Sequence, residues 1–176
     1  NFIETQNVQL CLAFAYGNGK NTSCENVTTS MKRILYGVPI DKYFALDLNG
    51  ISAINDAMGG VTVESLYDFE NQGVKKGDEI HIEGDFAETY VRQRNMQQID
   101  SSLNRLERQK QYIRAFVKQT AKATLKDFSI IKSLYNTSSN YSYTNLSLSD
   151  LTYFASTAIS KGTTSFDTVT LEGTMK

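Results

Sequence analysis

A long helical periodicity near the middle of the chain constrains the fold most. Between Ser102 and about Leu125 the apolar residues Leu103, Leu106, Ile113, Phe116 and Val117 recur at helical spacing, giving the segment one core-facing stripe. A helix gains most of its stability by burying such a stripe, so other elements must pack on it. Strand-like runs supply candidates at Asp41–Leu48, Val61–Val63, Glu79–Glu83 and Thr164–Leu171. Helical runs interleave with them. Glu4–Tyr16 carries a stripe at Val8, Leu12 and Ala15, and Glu25–Leu35 is capped by Ser23 with Val27, Met31, Ile34 and Leu35 inward. Further helices are predicted at Asn49–Met58, Asp85–Arg92 and Phe128–Leu134, and from a Ser147 cap to Ile159. Interleaving with short connections predicts the α/β class, as a three-layer α/β/α architecture with a mixed central sheet flanked by helices. With 176 residues, 40% hydrophobic and 21% charged, the chain reads as one globular domain over 1–176.

The cysteines and the single histidine narrow the chemistry. Cys11 and Cys24 form no C-x-x-C pair and His81 stands alone, so no Cys/His zinc site can be built. Both cysteines flank the turn-rich Gly17-Asn18-Gly19-Lys20-Asn21, and a Cys11–Cys24 bridge is favoured over two unrelated thiols. Such a bridge would contribute roughly 3 kcal/mol and imply an oxidising compartment. A net charge of −1 argues against whole-surface attraction to nucleic acid, though not against a local basic site. The longest apolar run, Leu10–Tyr16, is too short to span a bilayer. The chain opens on Asn1 rather than Met, so it is expected to be a piece of a longer protein.

Arginine placement carries the functional reading. Five of the six arginines (Arg92, Arg94, Arg105, Arg108, Arg114) fall between positions 92 and 114, while lysines run from Lys20 to Lys176. Selective use of arginine points to bidentate recognition of phosphate or carboxylate. Arg105, Arg108, Gln109 and Tyr112 share one helix face. Arg92 and Arg94 return to that face if the loop Asn95–Ser101 closes as a helical hairpin. The helix start nearby also favours anions. So many donors exceed the needs of one phosphate and suit a diphosphate. The competing reading is that Arg105 and Arg108 form exposed ion pairs worth little. The scattered acids Asp47, Asp56, Asp68 and Glu70 are weak candidates for a glycosidase pair. Ser101 and Ser102 lack a histidine partner for a triad.

Tyr90-Val91-Arg92-Gln93-Arg94 followed by Asn104-Arg105-Leu106-Glu107-Arg108-Gln109 resembles the signature of the LytR–CpsA–Psr family. The resemblance extends to Leu12–Gly17, Gly37–Tyr43 and Asn55–Val63, in the family's order. It implies an enzyme on the outer face of a bacterial cytoplasmic membrane, anchored by an N-terminal helix. Such a phosphotransferase takes a glycopolymer, such as teichoic acid or capsule, from a polyprenyl-pyrophosphate carrier and joins it to peptidoglycan through a phosphodiester. The resemblance assigns pyrophosphate binding and catalysis to Arg92, Arg94, Arg105 and Arg108, and pyrophosphate binding to Gln109. It implies magnesium, held by aspartates of a D-x-R segment that would precede Asn1. Where the family usually has an aspartate three residues before the first arginine of R-x-x-R-Q, this chain has Ser102. The alternative is a non-catalytic envelope module that binds polyprenyl phosphates or anionic polymers. No DNA-reading motif is present, and nucleic acid is not an expected partner.

Overall fold

The structure, a computed structural model, describes residues 9–94 and 101–161. The closing strand expected at Thr164–Leu171, the first part of the helix expected at Glu4–Tyr16 and most of the Asn95–Ser101 loop lie outside them. In chain order the elements are α1 (Asn21–Ile34), β1 (Phe44–Leu46), α2 (Gly50–Ala57), β2 (Val61–Glu64), β3 (Glu79–Ile82), α3 (Asp85–Arg92), α4 (Ser101–Lys126), α5 (Ser129–Ser139), β4 (Ser142–Thr144) and α6 (Leu148–Ser160). Helices and strands are mixed along the chain, so the α/β class stands. Among the described residues the strands pair as two antiparallel ribbons, β1 with β4 and β2 with β3, rather than as one mixed sheet.

The core forms where β2 and β3 meet α3 and α4. Val61 and Val63 alternate inward on β2, Ile82 does so on β3, and Ala87, Tyr90, Val91 and Tyr112 complete the cluster with Phe69. Phe69 stacks on Tyr90 at 5.3 Å and meets the edge of Phe86 at 5.2 Å. Two glutamines of α4 fix its position against the outward edge of β2. Gln119 accepts from Thr62 N at 3.1 Å and donates to Thr62 O at 2.9 Å, as a neighbouring strand would. Gln111 donates to Glu64 O at 2.7 Å. Asn55, fully buried, ties α2 to the core by donating to Ile82 O and accepting from the Tyr112 hydroxyl, both at 2.9 Å. Gly60 turns the chain into β2 at φ 79°, and a Cβ there would lie 2.5 Å from His81 Nε2. Only glycine fits that turn.

Several expectations change. On α4 the expected core-facing stripe does not turn inward as a whole: Leu103, Ile113 and Val117 are exposed, while Arg108, Tyr112 and Thr124 are buried, because α4 packs on β2 and α3 through the face that carries Gln111, Tyr112 and Gln119. On α1, Ile34 of the expected inward face is exposed and the buried residues are Ser23, Cys24 and Asn26. Cys11 and Cys24 are not bridged: both are free, Cys11 exposed and Cys24 buried on α1. The reason lies in the turn. Asn18 accepts from Lys20 N at 2.9 Å and Ser23 accepts from Gly19 N at 2.8 Å, so α1 begins at Asn21 and carries Cys24 into the interior while Cys11 stays in solvent. Ser23 is therefore buried within α1 rather than outside it as a cap. In the described part of the first predicted helix, Leu10–Leu12 makes one 3-10 turn and Ala13, not Leu12 or Ala15, is buried. The last helix follows expectation. Ser147 accepts from Asp150 N at 3.1 Å and donates its own N–H to Asp150 at 2.8 Å, a complete capping box.

Candidate functional site

α3 and α4 present the arginine motifs, and their side chains do different things. Arg108 is buried, 4% exposed. Its Nη1 donates to Tyr90 O at 2.7 Å and its Nη2 to Gln93 O. The guanidinium lies over the rings of Tyr67, Phe69 and Tyr90, with centroids at 5.6, 5.4 and 6.0 Å. Its Nε has no partner among the described residues. Burial lowers its pKa from the usual arginine value, with the nearby Arg105 charge adding to the shift. The next residue acts on the same segment: Gln109 donates to Val91 O at 3.1 Å. Together Arg108 and Gln109 satisfy the carbonyls of Tyr90, Val91 and Gln93, the groups a helix leaves open at its C-terminus. Two of the donors that the sequence offers to a substrate, Arg108 and Gln109, are thus engaged by the protein's own backbone.

Arg92, Arg94 and Arg105 remain outward. Arg92 is half exposed and pairs with Glu88 one turn back. Arg94 reaches the hydroxyl of Ser101, at the start of α4, at 3.5 Å. Arg105 is half-buried and makes no hydrogen bond or ion pair among the described residues. Because Arg108 is bonded to Gln93, the residue between Arg92 and Arg94, the turn that carries both is fastened to the helix that carries Arg105. Gln111 extends the fastening by accepting from the Tyr90 hydroxyl at 2.5 Å. Burial raises the pKa of Tyr90, which keeps that hydroxyl a donor.

Three hollows adjoin this junction. A polar cleft of about 740 Å³ is lined by Lys20, Asp47, Asn49, Glu88, Arg92 and Tyr141, among others. A smaller one of about 440 Å³ lies on the other side of Arg92, against Asn71, Gln72 and Gln93. The third, about 580 Å³, is almost wholly apolar and runs between α2, α4, α5, α6 and β1, lined by Ile54, Phe116, Ile131, Leu134 and Leu151 among others. Val91 and Gln109 also line it, so this apolar hollow borders residues of the fastened arginine turn.

The other sequence candidates serve local structure. Asp56 accepts from Gly84 N at 2.9 Å, Asp68 from Lys76 N at 2.7 Å and Asp47 from Asn49 N at 2.9 Å. These carboxylates hold turns rather than face one another across a cleft. His81 is exposed between Thr62 and Glu83, at 2.9 and 3.1 Å. Among the described residues no group of three or more His, Cys, Asp or Glu could hold a metal ion, and no helix is long and apolar enough to cross a membrane. Sequence reasoning missed the ring box of Tyr67, Phe69 and Tyr90 and the glutamine fastenings. The spacing of Gln111 and Gln119 on one face of α4 was the signal available.

Comparison with known proteins places this geometry. The chain is 34% identical over 113 residues to a protein of Halalkalibacterium halodurans named polyisoprenyl-teichoic acid–peptidoglycan teichoic acid transferase TagU, covering 62% of this chain and 34% of that one. It is 30% identical over 115 residues to the Bacillus subtilis transferase TagV, covering 60% and 28%. The crystal structure of TagV superposes with a TM-score of 0.67 at 23% identity, covering 88% of this chain and 59% of that chain. A crystal structure from Enterococcus faecalis, described as a transcriptional regulator, gives 0.70 at 23% identity, covering 86% and 53%. The chain thus spans about a third of the curated relatives it matches. The family model for LytR_cpsA_psr matches residues 3–176, and the chain belongs to the LytR_cpsA_psr family.

Proposed function

We propose that the protein of which this chain is part transfers a glycopolymer from a polyprenyl-pyrophosphate carrier to a hydroxyl of peptidoglycan, at the outer face of a bacterial cytoplasmic membrane. The observation that carries the reading is the junction of an apolar hollow with an arginine turn. Such a junction suits a ligand with a long apolar tail and a doubly charged head. The tail has the hollow lined by Ile54, Phe116 and Leu134; the head has Arg92, Arg94 and Arg105. The names of the two relatives support the polymer class and the acceptor.

In the reaction the acceptor oxygen bonds to the phosphorus that carries the polymer. The bridging P–O bond breaks, polyprenyl phosphate departs and the hydroxyl loses its proton. Negative charge grows on the leaving phosphate, and guanidinium groups already in place stabilise it most. Arg105 is suited to this by having no other partner among the described residues, and Arg92 by lining two clefts. Arg108 and Gln109, which the resemblance counts with the substrate ligands, act here as positioning residues that hold the turn bearing Arg92 and Arg94. The described residues offer no metal cluster, so magnesium would take its ligands from elsewhere and no step here depends on it.

The test uses the intact protein, a lipid-diphosphate-linked saccharide and peptidoglycan. Arg92→Ala and Arg105→Ala should abolish transfer with folding retained. Leu134→Trp, which fills the hollow, should weaken binding of polyprenyl diphosphate while leaving inorganic pyrophosphate unaffected. Full transfer by either arginine variant, or equal loss of both ligands in Leu134→Trp, overturns the reading.

A further inference from the structure

One surface has no part in the site just described. From Arg108 to Lys126 the chain carries no acidic residue, and Lys110, Arg114, Lys118, Lys122 and Lys126 stand at every fourth position of α4. A four-residue step advances about 6 Å along the axis and about 40° around it. The five cations therefore make one slowly winding row, about 24 Å long by the same geometry, that starts little more than a turn beyond Arg105. Arg114, Lys118, Lys122 and Lys126 are exposed.

The acids at either end are occupied. Glu107 holds Lys110 at 2.9 Å. Asp127 accepts from Ser129 N at 2.9 Å, and the Ser129 contacts depress its pKa. No ion pair among the described residues engages Lys118, Lys122 or Lys126. Like charges one turn apart destabilise a helix, and the chain as a whole carries a charge of −1, so the row is not part of a generally basic surface.

We propose that this row binds the anionic chain of a phosphodiester-linked glycopolymer, the portion of the substrate that trails from the diphosphate. The identity of the polymer rests on the function proposed above; the binding itself does not. The axial step between cations is comparable with the separation of successive phosphates in an extended polyol phosphate, so successive phosphates meet successive side chains. Single-file cations that wind about 160° around a helix suit a linear chain that follows them. A flat anionic bilayer would meet only the part that faces it. Lysine, a compact and strongly hydrated charge, grips a flexible polyanion without fixing its register.

The test uses the intact protein, a triple variant Lys118→Gln/Lys122→Gln/Lys126→Gln, and Arg105→Ala. The probes are poly(glycerol phosphate), neutral dextran and phosphatidylglycerol vesicles, each titrated across salt. The parent should bind the phosphate polymer and not dextran. The triple variant should bind it at least about tenfold more weakly at low salt, with a log affinity–log salt slope shallower by roughly two. It should transfer a short lipid-diphosphate-linked disaccharide as fast as the parent. Arg105→Ala should keep polymer binding while losing transfer, which separates failure of this inference from failure of the transferase reading. Equal polymer affinity and slope in parent and triple variant overturn it. So does a loss of vesicle binding with polymer binding unchanged.

Discussion

Arg108 gives the sharpest prediction, because its burial separates two roles that its motif leaves merged. Arg108→Met keeps most of the apolar stem and removes the guanidinium. Two charge-assisted hydrogen bonds, to Tyr90 O and Gln93 O, are lost at about 1.5–3 kcal/mol each. The contact with three rings adds about 0.5–2 kcal/mol. Against this, an apolar side chain no longer requires a cation to be stripped of water, a relief of several kcal/mol. The net loss expected is about 2 kcal/mol, and with a urea slope of about 2 kcal/mol/M it lowers the midpoint by about 1 M. Arg105→Ala, which breaks no hydrogen bond or ion pair among the described residues, should stay within about 0.5 kcal/mol of the parent. Diphosphate affinity should show the reverse order. Losing a direct charge-assisted contact costs Arg105→Ala about tenfold or more, while Arg108→Met loses a few-fold through the loosened turn. Arg108→Lys keeps the charge but not the fork, so it should recover part of the midpoint. An unfolding midpoint in Arg108→Met equal to the parent, together with an affinity loss as large as that of Arg105→Ala, would refute the positioning role.

The remaining predictions bear on charge, thiols and acid. Glu88→Gln releases Arg92 from its ion pair and should tighten pyrophosphate binding several-fold in a titration, with little change in stability because the pair is partly exposed. Without reductant the protein should show two titratable thiols: Cys11 should react with iodoacetamide at once, and Cys24, buried and with its pKa raised by that burial, only after unfolding. Lys42 at 2.7 Å and the Ser147 N–H hold the Asp150 carboxyl well below the usual carboxylate range. Its stabilising effect is complete above the unfolded value of about 3.9 and is lost as pH falls through the lower folded value. Urea midpoints of the parent and Asp150→Asn should therefore differ at pH 7 and converge as the solution is acidified below about pH 4; a gap that stays constant would count against the assignment.

Local pattern reveals what is locally determined, and the chain shows the limit plainly. The extents of α3, α4 and α6 are legible because periodicity, Gly84 before Asp85 and the Ser147–Asp150 box are all short-range signals, but the inward face of α4 is not: Leu103, Ile113 and Val117 are exposed while Arg108 and Tyr112 are buried. Nor is β4 legible. Ser142-Tyr143-Thr144 is too short to establish a period of its own and is a strand because it pairs with Phe44–Leu46, a hundred positions earlier. The same limit explains the cysteines. The turn at Gly17–Asn21 brings them close in sequence, but which face of α1 turns inward decides that Cys24 is buried while Cys11 is not.

The arginine motifs carry this distinction into the site. Composition shows that guanidinium groups gather between Arg92 and Arg114, and spacing shows that Arg105, Arg108 and Gln109 share one helix face. A shared face can look toward the ligand or toward the protein. Arg108 and Gln109 look inward because α3 ends beside them with carbonyls that need donors, and because Tyr67 and Phe69, distant in sequence, close a ring box over the guanidinium. A planar fork suits a diphosphate and a row of carbonyls equally well, so residue type alone cannot divide the two roles. Burial supplies the distinction on which the function proposed above rests: Arg108, which donates to backbone carbonyls, fastens the turn that bears Arg92 and Arg94, and the proposal gives the charged substrate to Arg92, Arg94 and Arg105.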